Sequence, residues 1–320
     1  SKAGDKTFTR SGVSVRASWD FARCIWVELF SGTGAVKKSD WSAFQVTALD
    51  RKHQVVLTKL DDWMRVSGRV ANLKVKPDVY QLKGDPWERK SPALKTVVKR
   101  FYKRYPDRFD FVTVWSQQDV PRSIGRRAVS NSVRGIGRAR FDRTGQWGSK
   151  GRLQSVNYLG RSYSEGLIEE TFRQWAPYLD ETGLSAWGRW RDINVKGYHG
   201  GLGFKWVTDR KYKITWVPWD RARDHRASWL ELYLAGLAKA SEVPQVKRLK
   251  GLNQSRIEVG NIVKASSVVK KSIGQITKKY GYRKPGYSTS RKDFRMGSIL
   301  VTVNRFATPA EMAMYHLTMA

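Results

Sequence analysis

The chain has 320 residues, and a 40% hydrophobic content with 14 Trp, 13 Tyr and 12 Phe excludes a disordered polymer and allows two or three domains. A formal charge of +32, from 60 Lys and Arg against 28 Asp and Glu, favours anionic partners: nucleic acid, glycan, lipid headgroups or an acidic protein surface. Cys24 is the only cysteine, which excludes an intrachain disulfide or thiolate cluster, and no apolar run approaches the roughly 18 residues of a membrane span.

The first residues, Ser1 to Asp5, carry no hydrophobic leader. This fits a cytoplasmic chain or a secreted or cell-surface protein whose signal peptide is gone. Residues 1–85 read as β-rich, with alternation at Val13–Ala17 and from Val66 to Val75 and a Gly32-Thr33-Gly34 turn between. A small antiparallel sandwich is the expected form. Gly84-Asp85-Pro86 marks a linker or turn into the second domain, 86–244.

There Ser91 and Pro92 read as N-cap and first residue of a helix with an apolar stripe at Leu94, Val97, Val98 and Phe101, ended by Pro106. Residues 109–115 read as a buried strand, 125–151 as a Gly-rich stretch, and 169–179 as a helix. Residues 188–220 look irregular, and Trp229 to Leu237 is a helix closed by glycine. Residues 245–320 read as a β-rich basic unit with one helix near Pro309.

Overlapping the start of that helix, the string LIEETFRQW, residues 167–175, resembles a zinc helix without its ligands. The working pattern is H-E-x-x-H, two imidazoles one turn apart with a glutamate as base. Here those positions are Glu169, Glu170 and Arg173. A guanidinium offers no lone pair, so Arg173 is not a ligand.

The surrounding strings carry a wider resemblance. FYKRYPDRFDF (101–111), NSVRGIG (131–137), Phe141-Asp142, GSKGRLQ (148–154), WLELYLAGL (229–237), SEVP (241–244) and FRMGSILV (294–301) are similar, in order, to motifs of a group of bacterial exported zinc-peptidase-like proteins. The resemblance covers about residues 95–315. It implies an α+β fold: a zincin-like core between an N-terminal β-sandwich-like domain and a C-terminal β-rich unit. It also implies that Glu169, Arg173 and, downstream, Arg189 stand at degenerate ligand positions, with Glu170 a vestigial base. A base without metal-activated water has little to act on. No cofactor is therefore expected, zinc entering only if the ligands lie elsewhere.

His53, His199, His225 and His316 form no H-x-x-x-H pair. A convergence of His199 with Glu169, Glu170 and Asp192 is one option; a polar loop residue is the plainer one. Glu169 precedes Arg173 by four residues, which favours an ion pair in place of the metal; a weak surface pair is the bland alternative. Phosphate-binding and serine-hydrolase motifs are absent, and Cys24 reads as a buried small hydrophobe.

The basic residues concentrate in two stretches: 18 Lys and Arg against 4 Asp and Glu over 89–161, and 14 against 2 over 245–295. Lys278, Lys279, Tyr280, Tyr282, Arg283 and Lys284 make the best candidate for an exposed polyanion-binding loop, the alternative being a solvated loop. The expected function is a pseudoenzyme, metallopeptidase-like in fold, acting in binding or assembly towards an anionic partner. Two alternatives stay open: a nucleic-acid or other polyanion binder, and an active metallohydrolase with an atypical metal site.

Overall fold

The computed structural model describes residues 4–10, 13–19, 25–31, 57–67, 70–76, 86–116, 125–160, 166–176, 178–179, 194–199, 201–217, 226–252, 257–308, 311–312 and 315. Its architecture is mixed α and β, with several sheets and, among these residues, four helices. The chain divides into two compact units, Ser1–Asn72 with Phe306–Ala320, and Leu73–Arg305. That division falls ahead of the boundary expected at Gly84 to Pro86, and residues 245–305 lie inside the second unit.

In the first unit β1 (Gly4–Arg10), β2 (Val13–Trp19) and β3 (Ile25–Ser31) form an antiparallel meander, in register from Gly4 opposite Trp19 and from Val13 opposite Ser31. Cys24, His53 and the Gly32 to Gly34 turn lie outside the described residues. A short pair follows, β4 (Thr58–Lys59) and β5 (Met64–Ser67), whose turn is held by the Asp61 carboxylate accepting from Trp63 N and Met64 N.

The largest sheet has seven strands. Besides β4 and β5 it contains β6 (Val70–Val75), β7 (Phe111–Ser116), β8 (Gly125–Ala128), β11 (Ser155–Gly160) and β17 (Met296–Val303), in the order β4-β5-β6-β17-β7-β11-β8. β7 runs parallel to both β17 and β11, while β8 is antiparallel to β11. All six residues of β7 are buried, as a central parallel strand covered on both faces requires. Trp115 Nε1 donates to Ser298 Oγ at 2.9 Å, so the one polar atom of this large ring is satisfied.

Helix α1 spans Pro86–Tyr102, six residues earlier at its start than the Ser91–Pro92 signal suggests. Pro86, with its preset φ and no N–H to lose, serves as the first helical residue instead. The expected stripe is buried: Leu94, Val97, Val98 and Phe101 are each 2% exposed or less. Phe101 stacks on Tyr105 and packs beside Phe109.

The Gly-rich stretch supplies β9 (Ser130–Asn131), β10 (Phe141–Asp142) and a 3-10 turn at Thr144–Trp147. Asp110, fully buried, ties distant parts together by receiving Arg152, Arg291 and the backbone N–H of Arg295.

Part of the stretch read as irregular is ordered sheet. β12 (Gly203–Thr208) and β13 (Lys211–Trp216) form a hairpin extended by β15 (Ile262–Lys264). The reason is visible in the residues: Phe204, Tyr212 and Ile214 alternate with lysines and pack inward on Leu202, Val217, Leu249, Ile257 and Val263. β14 (Val246–Lys250) pairs with β16 (Ser267–Lys271), and the remaining helices are α2 (Gly166–Phe172), α3 (Trp229–Ala235) and α4 (Ile273–Tyr280).

Candidate functional site

Helix α2 follows β11, carries Glu169 and Glu170 and leads directly into Arg173. Thr171 Oγ1 donates to Leu167 O at 2.7 Å and accepts from Asn157 Nδ2 of β11 at 3.0 Å, fixing the helix on the sheet. Its exit is fixed as well. The buried Gln174 donates to Ser130 O at 2.7 Å and accepts from Arg126 of β8, while Tyr178 OH donates to Arg173 O at 2.8 Å.

Between these anchors Arg173 reaches back over both carboxylates. One guanidinium nitrogen lies 2.8 Å from Glu169 Oε1 and another 3.0 Å from Glu170 Oε1. Glu170 is 2% exposed, and the side chains of Glu169 and Arg173 are each 18% exposed. This is a half-buried ion triad, unlike the solvent-screened pair that spacing alone would allow.

The triad bears on zinc. The resemblance requires ligand lone pairs at positions 169 and 173, yet 173 presents N–H donors and a positive charge to the place a cation would occupy. Arg189 and Asp192 lie outside the described residues, as do His225 and His316. Among the described residues no cluster of three or more His, Cys, Asp or Glu could hold a metal ion. The residues at this helix do not fit the metal.

His199 does not join the α2 carboxylates. It is fully buried with its Nδ1 2.7 Å from Glu231 Oε1, and its backbone N–H donates to the same oxygen at 2.9 Å. Glu231 is the third residue of α3 and also completes a capping box, accepting from Ser228 N and Ser228 Oγ while Ser228 Oγ accepts from Glu231 N. The approach is close: a Cβ on Gly197 would stand 1.9 Å from Glu231 Oε2.

Burial works to raise the Glu231 carboxyl. The His199 hydrogen bond and charge, with N–H groups from Ser228 and His199, outweigh it and hold the group below its ordinary value. Tyr198, next to His199, stacks on Phe172 at 5.3 Å, so the loop held by Glu231 packs against the end of α2. Glu231 was not singled out from the sequence, although it lies within the matching WLELYLAGL string. The signal was a glutamate three residues after a serine at a helix start.

The basic loop is split by the structure. Lys278 and Lys279, in the last turn of α4, are exposed, as are Lys284 and Tyr282, the latter at 69%; Tyr280 is half-buried. Arg283 points the other way. It is buried and spends its guanidinium on the C-terminal carbonyls of α3, with Nε on Leu234 O at 2.8 Å and a terminal nitrogen on Ala235 O at 2.9 Å. Burial pulls its pKa down to about 10, opposed by Tyr233. It is a helix cap and not part of the exposed cationic surface.

That surface gains Arg134, exposed and backbone-paired to Lys284 through Arg134 N to Lys284 O at 3.0 Å and the reciprocal bond at 3.2 Å. The two loops meet at Gly135, where φ is +72° and a Cβ would lie 2.4 Å from the Tyr282 carbonyl oxygen. Gly135→Ala is therefore expected to destabilise the protein by about 2 kcal/mol or more, read as a lower thermal midpoint.

Comparison with known proteins gave no match: no family model, no curated protein and no solved structure is significantly similar to this chain.

Proposed function

We propose that the chain is a non-catalytic relative of zincin-type metallopeptidases that acts by binding an anionic partner. The observation that carries this reading is the Arg173 guanidinium set across Glu169 and Glu170, where the related helix would present metal ligands. It pairs with both carboxylates and occupies Glu170, the position of the base. The exposed Lys278, Lys279, Tyr282 and Lys284 with Arg134, on a chain of formal charge +32, support an anionic partner.

Two measurements test it. Mass spectrometry of protein dialysed against zinc should find far less than one zinc per chain; one tightly held zinc would overturn the reading and point to a metallohydrolase with an atypical site. A labelled single-stranded oligonucleotide, used as anionic probe, should bind with an affinity that falls steeply with salt. The triple variant Lys278→Gln/Lys279→Gln/Lys284→Gln should flatten the log–log salt slope by about 2, at roughly 0.7 per phosphate contact. An unchanged slope would remove the loop from the binding surface.

A further inference from the structure

The three-stranded sheet β12-β13-β15 turns Phe204, Tyr212, Ile214 and Val263 towards the interior, and its register fixes what the other face carries. Lys205 stands opposite Lys213, which stands opposite Ile262; Thr208 stands opposite Lys211, which stands opposite Lys264. All six residues are exposed. Four lysines and an isoleucine thus share one face, about 5 Å apart across strands and about 7 Å apart along them.

Like charges directly opposite one another weaken a sheet. Among the described residues no carboxylate pairs with Lys205, Lys211, Lys213 or Lys264. The array opposes folding, and a surface-bound anion would relieve it. Exposed aliphatic side chains accompany the lysines: Ile262 on the same face at 55%, Val207 in the bulge of β12 at 42%, and Val259, in the turn before β15, at 50%; Trp206, opposite the inward Tyr212, belongs to the other face.

That combination selects among anions. A nucleic acid strand offers phosphates and base faces, so it gains from lysine and tryptophan but not from bare valine and isoleucine. A bilayer surface takes cations at headgroup level and accepts aliphatic groups just beneath. We propose that the outer face of β12-β13-β15 docks on an anionic lipid bilayer, with Lys205, Lys211, Lys213 and Lys264 among the headgroups and Ile262 entering the interface. This rests on the reading that the chain acts by binding anions.

The test is co-sedimentation of the full chain with phosphatidylcholine vesicles, with and without phosphatidylserine. Binding is expected only with phosphatidylserine, about fivefold weaker for each lysine changed to glutamine and lost in the four-lysine variant. Ile262→Asn should weaken binding while leaving its salt dependence intact. In low salt the four-lysine variant should melt no lower than the parent, because it removes like-charge pairs; this separates loss of docking from misfolding. A parent protein that ignores phosphatidylserine vesicles, or a four-lysine variant that binds them equally well, overturns the proposal. If the parent ignores vesicles yet binds the oligonucleotide, the binding-protein reading stands alone; if it binds neither, both fall.

Discussion

Glu231→Ala is expected to lower the stability of the second unit by about 4 kcal/mol, a drop of roughly 10 °C or more in its thermal midpoint. The loss follows from what the carboxylate holds. Its two oxygens accept from Ser228 N, Ser228 Oγ, Tyr198 N, His199 N and the His199 ring, and the side chain is fully buried. Alanine leaves several of those donors facing a dry hole that no other side chain fills.

Glu231→Gln separates charge from shape. Because the folded carboxyl sits below its ordinary value of 4.5, its stabilisation is fully present above pH 4.5 and is lost as pH falls through the lower folded value. The gap in urea midpoint between parent and Glu231→Gln should therefore be constant near neutrality and close below pH 4.5. A gap independent of pH would mean that the carboxylate acts by packing alone.

The second large effect concerns α2. Arg173→Met is expected to cost about 3 kcal/mol, since it takes a cation from between two carboxylates, one of them only 2% exposed. Replacing all three, Glu169→Gln/Glu170→Gln/Arg173→Met, should restore most of the loss, because removing a whole buried ion cluster is far milder than breaking it. Thermal melts of the single and triple variants make the comparison. Equal destabilisation of both would show that the guanidinium matters for its packing and not for its charge.

What could be read in advance was local. The mostly apolar run at residues 111–115 is a central strand, the stripe at Leu94, Val97, Val98 and Phe101 is a buried helix face, and Gly236 stops α3 with φ +82°. The Glu169–Arg173 pair follows from spacing on one helix, but the burial of Glu170 that strengthens it does not.

Long-range partners hid the rest. Glu231 looks like an ordinary helical glutamate because His199 lies 32 residues away. Arg283 sits in a lysine- and tyrosine-rich loop that reads as solvated, and only the approach of the α3 carbonyls, 48 and 49 residues upstream, makes it internal. The β12-β13 hairpin was written in the alternation of Phe204, Tyr212 and Ile214 with lysine, masked by the surrounding Gly and Trp.

A ribosome making this chain finishes β7 long before it makes the strand that flanks it. Trp115 and Ser298, hydrogen-bonded in the finished sheet, are separated by 183 residues. At roughly 5–20 residues per second, that is a wait of roughly 10–40 s. Through it one edge of a largely apolar strand stands open beside neighbouring nascent chains, with backbone donors and acceptors able to pair with them. Yield during expression should therefore depend on how crowded and how slow synthesis is, with slow elongation and dense polysomes favouring aggregates seeded at residues 111–116 before β17 is made.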